Sequence, residues 1–308
     1  MPGIAYSVRT WSEMIKVSHS VFALPFALIA TFLAGRELEG LHRPHAGQLV
    51  LIVVCMVAGR SVAMTFNRIV DKEIDAGNPR TAGRPLPAGK LKVRAAYGFL
   101  LASAVVFVTA CYGFLCFYAN RWPILLAGPV LLYLCGYSYT KRFTRWSHFY
   151  LGSAIGLSPL AAWLAIHPGS IGVPVVVLSV GVMLWIAGFD IIYACQDVDC
   201  DQEQGLFSLP SRVGVGPALW TARLCHLTVV VCLVVLGMTA PLGWLYFVGV
   251  VVVAVLLGLE NSLVRPNDLS KVNVAFFTVN GLVSVGLGLL AILDIFLVTP
   301  GAGLHQAG

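Results

Sequence analysis

"NRIVDKEIDAGNPRTAGRPLPAG", residues 67–89, follows directly on an apolar run at 46–66 and concentrates acids, arginines and chain breakers. A run of about 20 apolar residues is long enough to cross a bilayer as a helix. The stretch therefore reads as the point where such a helix leaves the hydrocarbon. Asn67, Asp71 and Asp75 recur every four residues, which places them on one helical face. Gly77, Pro79, Gly83, Pro85, Pro87 and Gly89 then end the helix and confine Arg80 and Arg84 to a stiffened loop.

The surroundings of this stretch are overwhelmingly apolar. Of 308 residues, 58% are hydrophobic and only 11% charged, and the mean hydropathy is +0.85. That composition excludes an ordinary soluble domain. Spans are expected near 17–35, 46–66, 95–118, 122–140, 148–166, 173–196, 216–238, 242–259 and 273–298. The expected fold is therefore all-α: a polytopic membrane protein of about nine helices in a single domain over residues 1–308. The first run follows Lys16 and lacks a small-residue cleavage pattern, so it is expected to stay as a span. The eight cysteines fall mostly inside apolar runs with no CxxC pair, which gives neither a disulfide framework nor a zinc site.

Basic residues set the orientation. Only Arg36, Arg43 and Arg121 fall on the side opposite the stretch, and Arg60 falls within a span. The other sixteen of the 20 lysines and arginines share one side, which is expected to be cytoplasmic together with the N-terminus. The net charge of +6 is thus a topology signal and a contact with anionic membrane lipid, with no nucleic-acid partner required.

Eight of the 14 acids lie in two short segments. One is the opening stretch; the other is "DIIYACQDVDCDQEQGLFSLPSRVG" at 190–214. There Asp190, Tyr193, Asp197 and Asp201 continue along one face, while Asp199 and Glu203 lie off it and read as solvated. Carboxylates one turn apart repel, more so beside a low-dielectric membrane, so each stripe wants a cation. Oxygen-only ligands suit Mg²⁺, which is usually shared between a few carboxylates and phosphate. Asn67, Asp71, Asp75, Asp197 and Asp201 are the expected metal face. Arg80, Arg84 and Arg212 on the two broken loops, with Lys141 and Arg142 of "YSYTKRFTRW" (137–146), are expected to grip a diphosphate. Span, acidic stripe and broken loop occur in both halves, which suggests a pseudo-repeat around a central cavity capped on the cytoplasmic side.

These residues resemble the UbiA superfamily of intramembrane aromatic prenyltransferases. The family's N-D-x-x-D-x-x-x-D and T-x-x-R-P-L-P-x-G runs are similar to Asn67–Asp75 and Thr81–Gly89. Its D-x-x-Y-x-x-x-D-x-x-x-D is similar to Asp190, Tyr193, Asp197 and Asp201, and its Y-x-x-x-K-R to Tyr137, Lys141 and Arg142. Lys16 matches a basic residue at the entry of the first helix. The second segment looks closest to bacterial 4-hydroxybenzoate polyprenyltransferase-like members, some of which serve menaquinone routes. The resemblance implies a bacterial inner-membrane enzyme that binds Mg²⁺ and a polyprenyl diphosphate and prenylates a small aromatic acid. Two departures stand out: Arg68 replaces an aspartate of the first motif, and a lysine some members carry after the second motif is absent.

Chemically, Mg²⁺ and the arginines would draw charge from the bridging oxygen, a dry cavity would shelter the allylic cation, and the electron-rich ring would attack. Asp71, Asp75, Asp190, Asp197 and Asp201 are the candidate catalytic residues; the ring proton would go to the departing diphosphate or to a carboxylate, with Asp75 and Asp190 both open. With Arg68 in the first motif, the stripe would hold one magnesium less firmly or hold it with Arg68 contacting phosphate directly, and Tyr193 would orient an aspartate or phosphate. Arg60, two turns up from Asn67, would take the acceptor's carboxylate, since an arginine inside a span is a functional residue by default. His19 reads as structural. A transporter is the rival reading; acids gathered at one membrane face, with mid-span charges nearly absent, weigh against it.

Overall fold

The computed structural model describes residues 4–15, 20–38 and 42–298, so Lys16 and His19 lie outside the described residues. In chain order the helices are α1 (Ile4–Ile15), α2 (Ser20–Arg36), α3 (Ala46–Val70), α4 (Lys72–Gly77), α5 (Val93–Tyr118), α6 (Trp122–Thr140) and α7 (Ser147–Ile166). They continue as α8 (Val173–Ala194), α9 (Val198–Glu203), α10 (Leu209–Val213), α11 (Val215–Thr239), α12 (Trp244–Leu263), α13 (Val272–Val274) and α14 (Asn280–Leu297). A π turn, Ala275–Val279, joins the last two.

Among the described residues, eight helical segments are long and apolar enough to cross a membrane, against about nine expected. The remaining expected span corresponds to α2, an apolar helix described over 17 residues, with residues 16–19 before it outside the described residues. The tight division between the third and fourth expected spans holds. Ala119 turns left-handed (φ 53°) after α5, and the Asn120 side chain accepts from Trp122 N–H while donating to the carbonyls of Leu164 and Ala165.

α8 is the central strut, packed most extensively on α7 and α11. Small residues allow the close approach, as is usual between membrane helices, where packing replaces the hydrophobic drive. A Cβ at Gly152 of α7 would lie 2.3 Å from Met183 O, so only glycine lets the α8 backbone come this near. Trp185 of α8 is 1% exposed and anchors an aromatic core with Phe22, Phe26 and Phe189.

A buried polar chain fixes the last span against this core. Trp185 Nε1 donates to Asn280 Oδ1 at 2.7 Å, and Asn280 Nδ2 donates to Glu260 Oε1 at 2.8 Å and to Ala275 O at 3.2 Å. The Ala275 carbonyl lies at the start of the π turn, so Asn280 supplies a donor where the wider winding disturbs the regular ladder. The turn lays Phe276 on Tyr193, ring centroids 4.2 Å apart.

Candidate active site

The last turn of α3 delivers Asn67 and Arg68. The backbone leaves helical values at Asp71 (φ −92°, ψ 8°), yet Asp71 N–H still bonds Asn67 O at 2.9 Å and Asp75 N–H bonds Asp71 O at 2.7 Å. The four-residue stripe therefore survives the bend between α3 and α4. The loop beyond is wound into successive turns, pinned to α4 by the Thr81 hydroxyl, which donates to Asp75 O at 2.8 Å.

Asp71 and Asp75 are almost wholly buried, and both are ringed by cations. Asp71 Oδ2 accepts from Asn67 Nδ2 at 2.8 Å and from Lys141 Nζ at 2.7 Å, and Arg142 Nη2 lies 3.3 Å from Oδ1. Asp75 Oδ1 pairs with Arg84 Nη1 at 2.6 Å. Asp75 Oδ2 faces Arg68 Nη1 at 3.8 Å and has no hydrogen-bond partner. Arg68, 5% exposed, donates to Asn67 Oδ1 at 3.2 Å. The departure at position 68 thus places a buried positive charge inside the stripe.

The second stripe leaves α8 through a 3₁₀ turn, Cys195–Asp197, and continues on α9. The first loop locks onto it. Asn78 Nδ2 and Arg80 Nε donate to Asp197 Oδ1 at 2.9 and 2.8 Å, and Arg80 Nη2 pairs with Oδ2. Arg80 Nη1 donates to the Tyr193 hydroxyl at 2.7 Å. Burial pulls the Arg80 pKa down, but the hydrogen bonds and charge of Asp197 outweigh it and raise it above the ordinary arginine value. Asp199 and Glu203 point to solvent as expected, whereas Asp197 and Asp201 line the same cavity as Asp71 and Asp75.

That cavity has a volume of about 280 Å³, and its lining is of two chemical kinds. One kind is the two stripes with Arg68, Arg80, Arg84 and Lys141. The other is apolar: Phe22, Leu151, Ile155, Ile186, Phe189 and Phe276. Arg60 and Tyr137 also line it, and Arg60 Nε is buried without a hydrogen-bond partner. Asp190 lines it as well, bonded through Oδ2 to His148 Nδ1 at 2.7 Å.

Among the described residues no three His, Cys, Asp or Glu side chains converge as a preformed metal cage; cations stand between the carboxylates instead. An oxygen-only donor set with one buried oxygen that makes no hydrogen bond, Asp75 Oδ2, fits an ion completed by a ligand's phosphates rather than by protein alone.

Arg212 requires a correction. Ser208 caps α10 by accepting from Ser211 N–H, which buries Leu209, Pro210 and Ser211 and turns Arg212 outward. Its guanidinium lies 3.7 Å over the Phe207 ring, away from the cavity. Arg142 reaches Asp71 from outside the cavity wall. Two residues went unread in the sequence. Asn78 is hidden in a breaker loop, and His148 is a lone histidine at the start of an apolar run, with no spacing that ties it to position 190.

A sequence model described as the UbiA prenyltransferase family matches residues 23–282. The 4-hydroxybenzoate octaprenyltransferase of Nitrosococcus oceani is 28% identical over 267 residues, 87% of this chain and 91% of that protein. The apo structure of a UbiA homolog from Aeropyrum pernix superposes with a TM-score of 0.79 at 26% identity, covering 90% of this chain and 98% of that one. A UbiA homolog from Archaeoglobus fulgidus bound to GPP and Mg2+ shares the fold at a TM-score of 0.69 and 16% identity, covering 93% of this chain and 99% of that one.

Proposed function

Because the chain belongs to the UbiA prenyltransferase family, and is an integral membrane prenyltransferase of the 4-hydroxybenzoate polyprenyltransferase-like kind, we propose that it transfers a polyprenyl group from a polyprenyl diphosphate to the ring of 4-hydroxybenzoate in quinone biosynthesis. The observation that carries this reading is one cavity lined both by the four stripe carboxylates with their arginines and by a set of aromatic and aliphatic side chains. A diphosphate head and a hydrocarbon chain match those two kinds of lining. The gathering of basic residues on the site's side supports a bacterial inner-membrane protein with its site on the cytoplasmic face.

Asp71, Asp75, Asp197 and Asp201, with Asn67 beside them, would hold Mg²⁺. When bound, the ion supplies positive charge to the departing diphosphate and lowers the barrier to carbon–oxygen cleavage. Arg80, Arg84 and Lys141 release their carboxylates in part to grip phosphate oxygens, while Arg142 holds Asp71 from outside the wall and Arg68 holds charge behind them. The aromatic and aliphatic wall keeps water from the allylic carbon. Arg60, with an unsatisfied donor on the cavity wall, takes the acceptor's carboxylate and orients the ring. Of the two candidate proton acceptors, Asp75 is tied to Arg84, whereas Asp190 faces the cavity with a single partner, which favours Asp190.

The test uses membranes containing the protein, a labelled polyprenyl diphosphate and a panel of aromatic acids, with products read by mass. Prenylated 4-hydroxybenzoate is expected, its formation abolished by EDTA and restored by Mg²⁺. Asp71→Ala or Asp197→Ala turning over near the wild-type rate, at equal expression, would overturn the assignment.

A further inference from the structure

We propose that His148 is a positioning residue for the ring-proton transfer: a neutral imidazole, locked in one tautomer by the backbone of Leu209, that aims Asp190 at the acceptor ring. The inference rests on the prenyl-transfer reading above and assigns within it a residue that no motif marks.

Two hydrogen bonds define the state of the ring. The backbone N–H of Leu209 donates to His148 Nε2 at 3.1 Å. A peptide N–H can only donate, so Nε2 must offer its lone pair and cannot carry a proton. The one proton of the neutral ring is then on Nδ1, from which it is donated to Asp190 Oδ2, 2.7 Å away. Leu209 opens α10, where the first N–H groups have no carbonyl partner within the helix. His148, 5% exposed, supplies the missing acceptor. One imidazole thus joins the first turn of α7, the carboxylate on α8 and the loop that follows the second acidic stripe.

Asp190 is left with one oxygen for chemistry. Oδ2 is held by His148, whereas Oδ1 has no hydrogen bond among the described residues and the side chain is 25% exposed on the cavity wall. Tyr193, one turn further along α8, is clamped by Arg80 and by the Phe276 ring. The carboxylate and the aromatic wall it stands beside therefore share one rigid helix.

The step balances as follows. The carbon–oxygen bond of the donor breaks with its electron pair going to diphosphate, and the ring carbon uses a π pair to bond the allylic carbon. The proton on that ring carbon passes to Asp190 Oδ1, its C–H pair returns to the ring, and the carboxylate becomes a carboxylic acid. His148 does not take this proton, because Nδ1 already carries one and Nε2 is engaged by Leu209.

The experiment compares wild type with His148→Leu and His148→Asn in the same membrane assay, using 4-hydroxybenzoate with hydrogen or deuterium ortho to the hydroxyl. Asparagine keeps a donor close to the place of Nδ1; leucine removes it. For His148→Leu a fall in kcat of about 100-fold is expected, the lower end of what positioned proton transfer supplies. KM for both substrates should stay within about threefold of wild type, and a primary deuterium effect absent from wild type should appear as proton loss becomes limiting. His148→Asn should recover most of kcat. Wild-type turnover in His148→Leu overturns the proposal, as does a loss that shows no deuterium effect and no rescue by asparagine, which would mark a purely structural role. Failure of the unmodified protein to prenylate any aromatic acid would overturn the reading of function itself, and with it this inference.

Discussion

Arg80→Lys tests whether the cap works through directed bonds or through charge alone. The arginine makes three directed contacts: two with Asp197, one of them 2.8 Å, and one with Tyr193 at 2.7 Å. Lysine keeps the charge but can place one donor well, so about two contacts are lost. Charge-assisted hydrogen bonds are worth about 1.5–3 kcal/mol each, and the side chain is 29% exposed, so roughly half of that survives solvent screening. The expected loss is about 2 kcal/mol, or roughly 30-fold at 1.4 kcal/mol per decade. Whether the fork stays on Asp197 or transfers to phosphate in the loaded enzyme, lysine cannot reproduce it. The assay is the rate of diphosphate release against prenyl diphosphate concentration, reported as kcat/KM. Arg145→Lys is the control, because Arg145 lies on the face of Trp146 outside the cavity and should be silent. A kcat/KM for Arg80→Lys within twofold of wild type would refute the reasoning.

Three further outcomes are expected. Arg60→Leu should raise KM for the aromatic acid by about 30-fold or more while leaving KM for the prenyl diphosphate unchanged, which substrate titrations would show. Arg212→Ala should leave kcat and both KM values within twofold, because its guanidinium rests on Phe207 rather than in the cavity. Asp294→Ala should destabilise without touching the chemistry. Asp294, 2% exposed, accepts the N–H groups of Gly243, Leu245 and Tyr246 at the start of α12. Losing that cap is expected to cost about 2–4 kcal/mol, seen as a lower unfolding midpoint in detergent with kcat preserved at low temperature.

Much of this molecule was legible in its sequence, for definite reasons. Hydrocarbon thickness fixes span length, so the apolar runs predicted the helices to within a few residues, and the bias of lysine and arginine predicted which loops share a side. The stripes were legible because a helix repeats every 3.6 residues: Asp71 and Asp75, and Asp197 and Asp201, had to share a face once the helices were granted. Breaker residues confined Arg80 and Arg84 to a loop by backbone sterics alone. The exception also has a physical cause. The breaker pattern around Arg212 matches that of the first loop, but a capped single turn at Leu209–Val213 rotates the side chain outward, and no local pattern encodes that rotation.

The sequence by itself determined the local terms: which segments enter the membrane, where each helix ends, and which charges a helix places side by side. Each is set by interactions within a few residues along the chain. Only the tertiary structure decided the partners. Arg80 meets Asp197 across 117 positions, Lys141 reaches Asp71, and His148 stands between Asp190 and Leu209. Those pairings depend on how closely helices pack, which glycines such as Gly152 permit, and on the bends at Asp71 and Cys195–Asp197 that turn the stripes toward one cavity. A buried charge must find its partner in three dimensions, and nothing in the spacing along the chain names it.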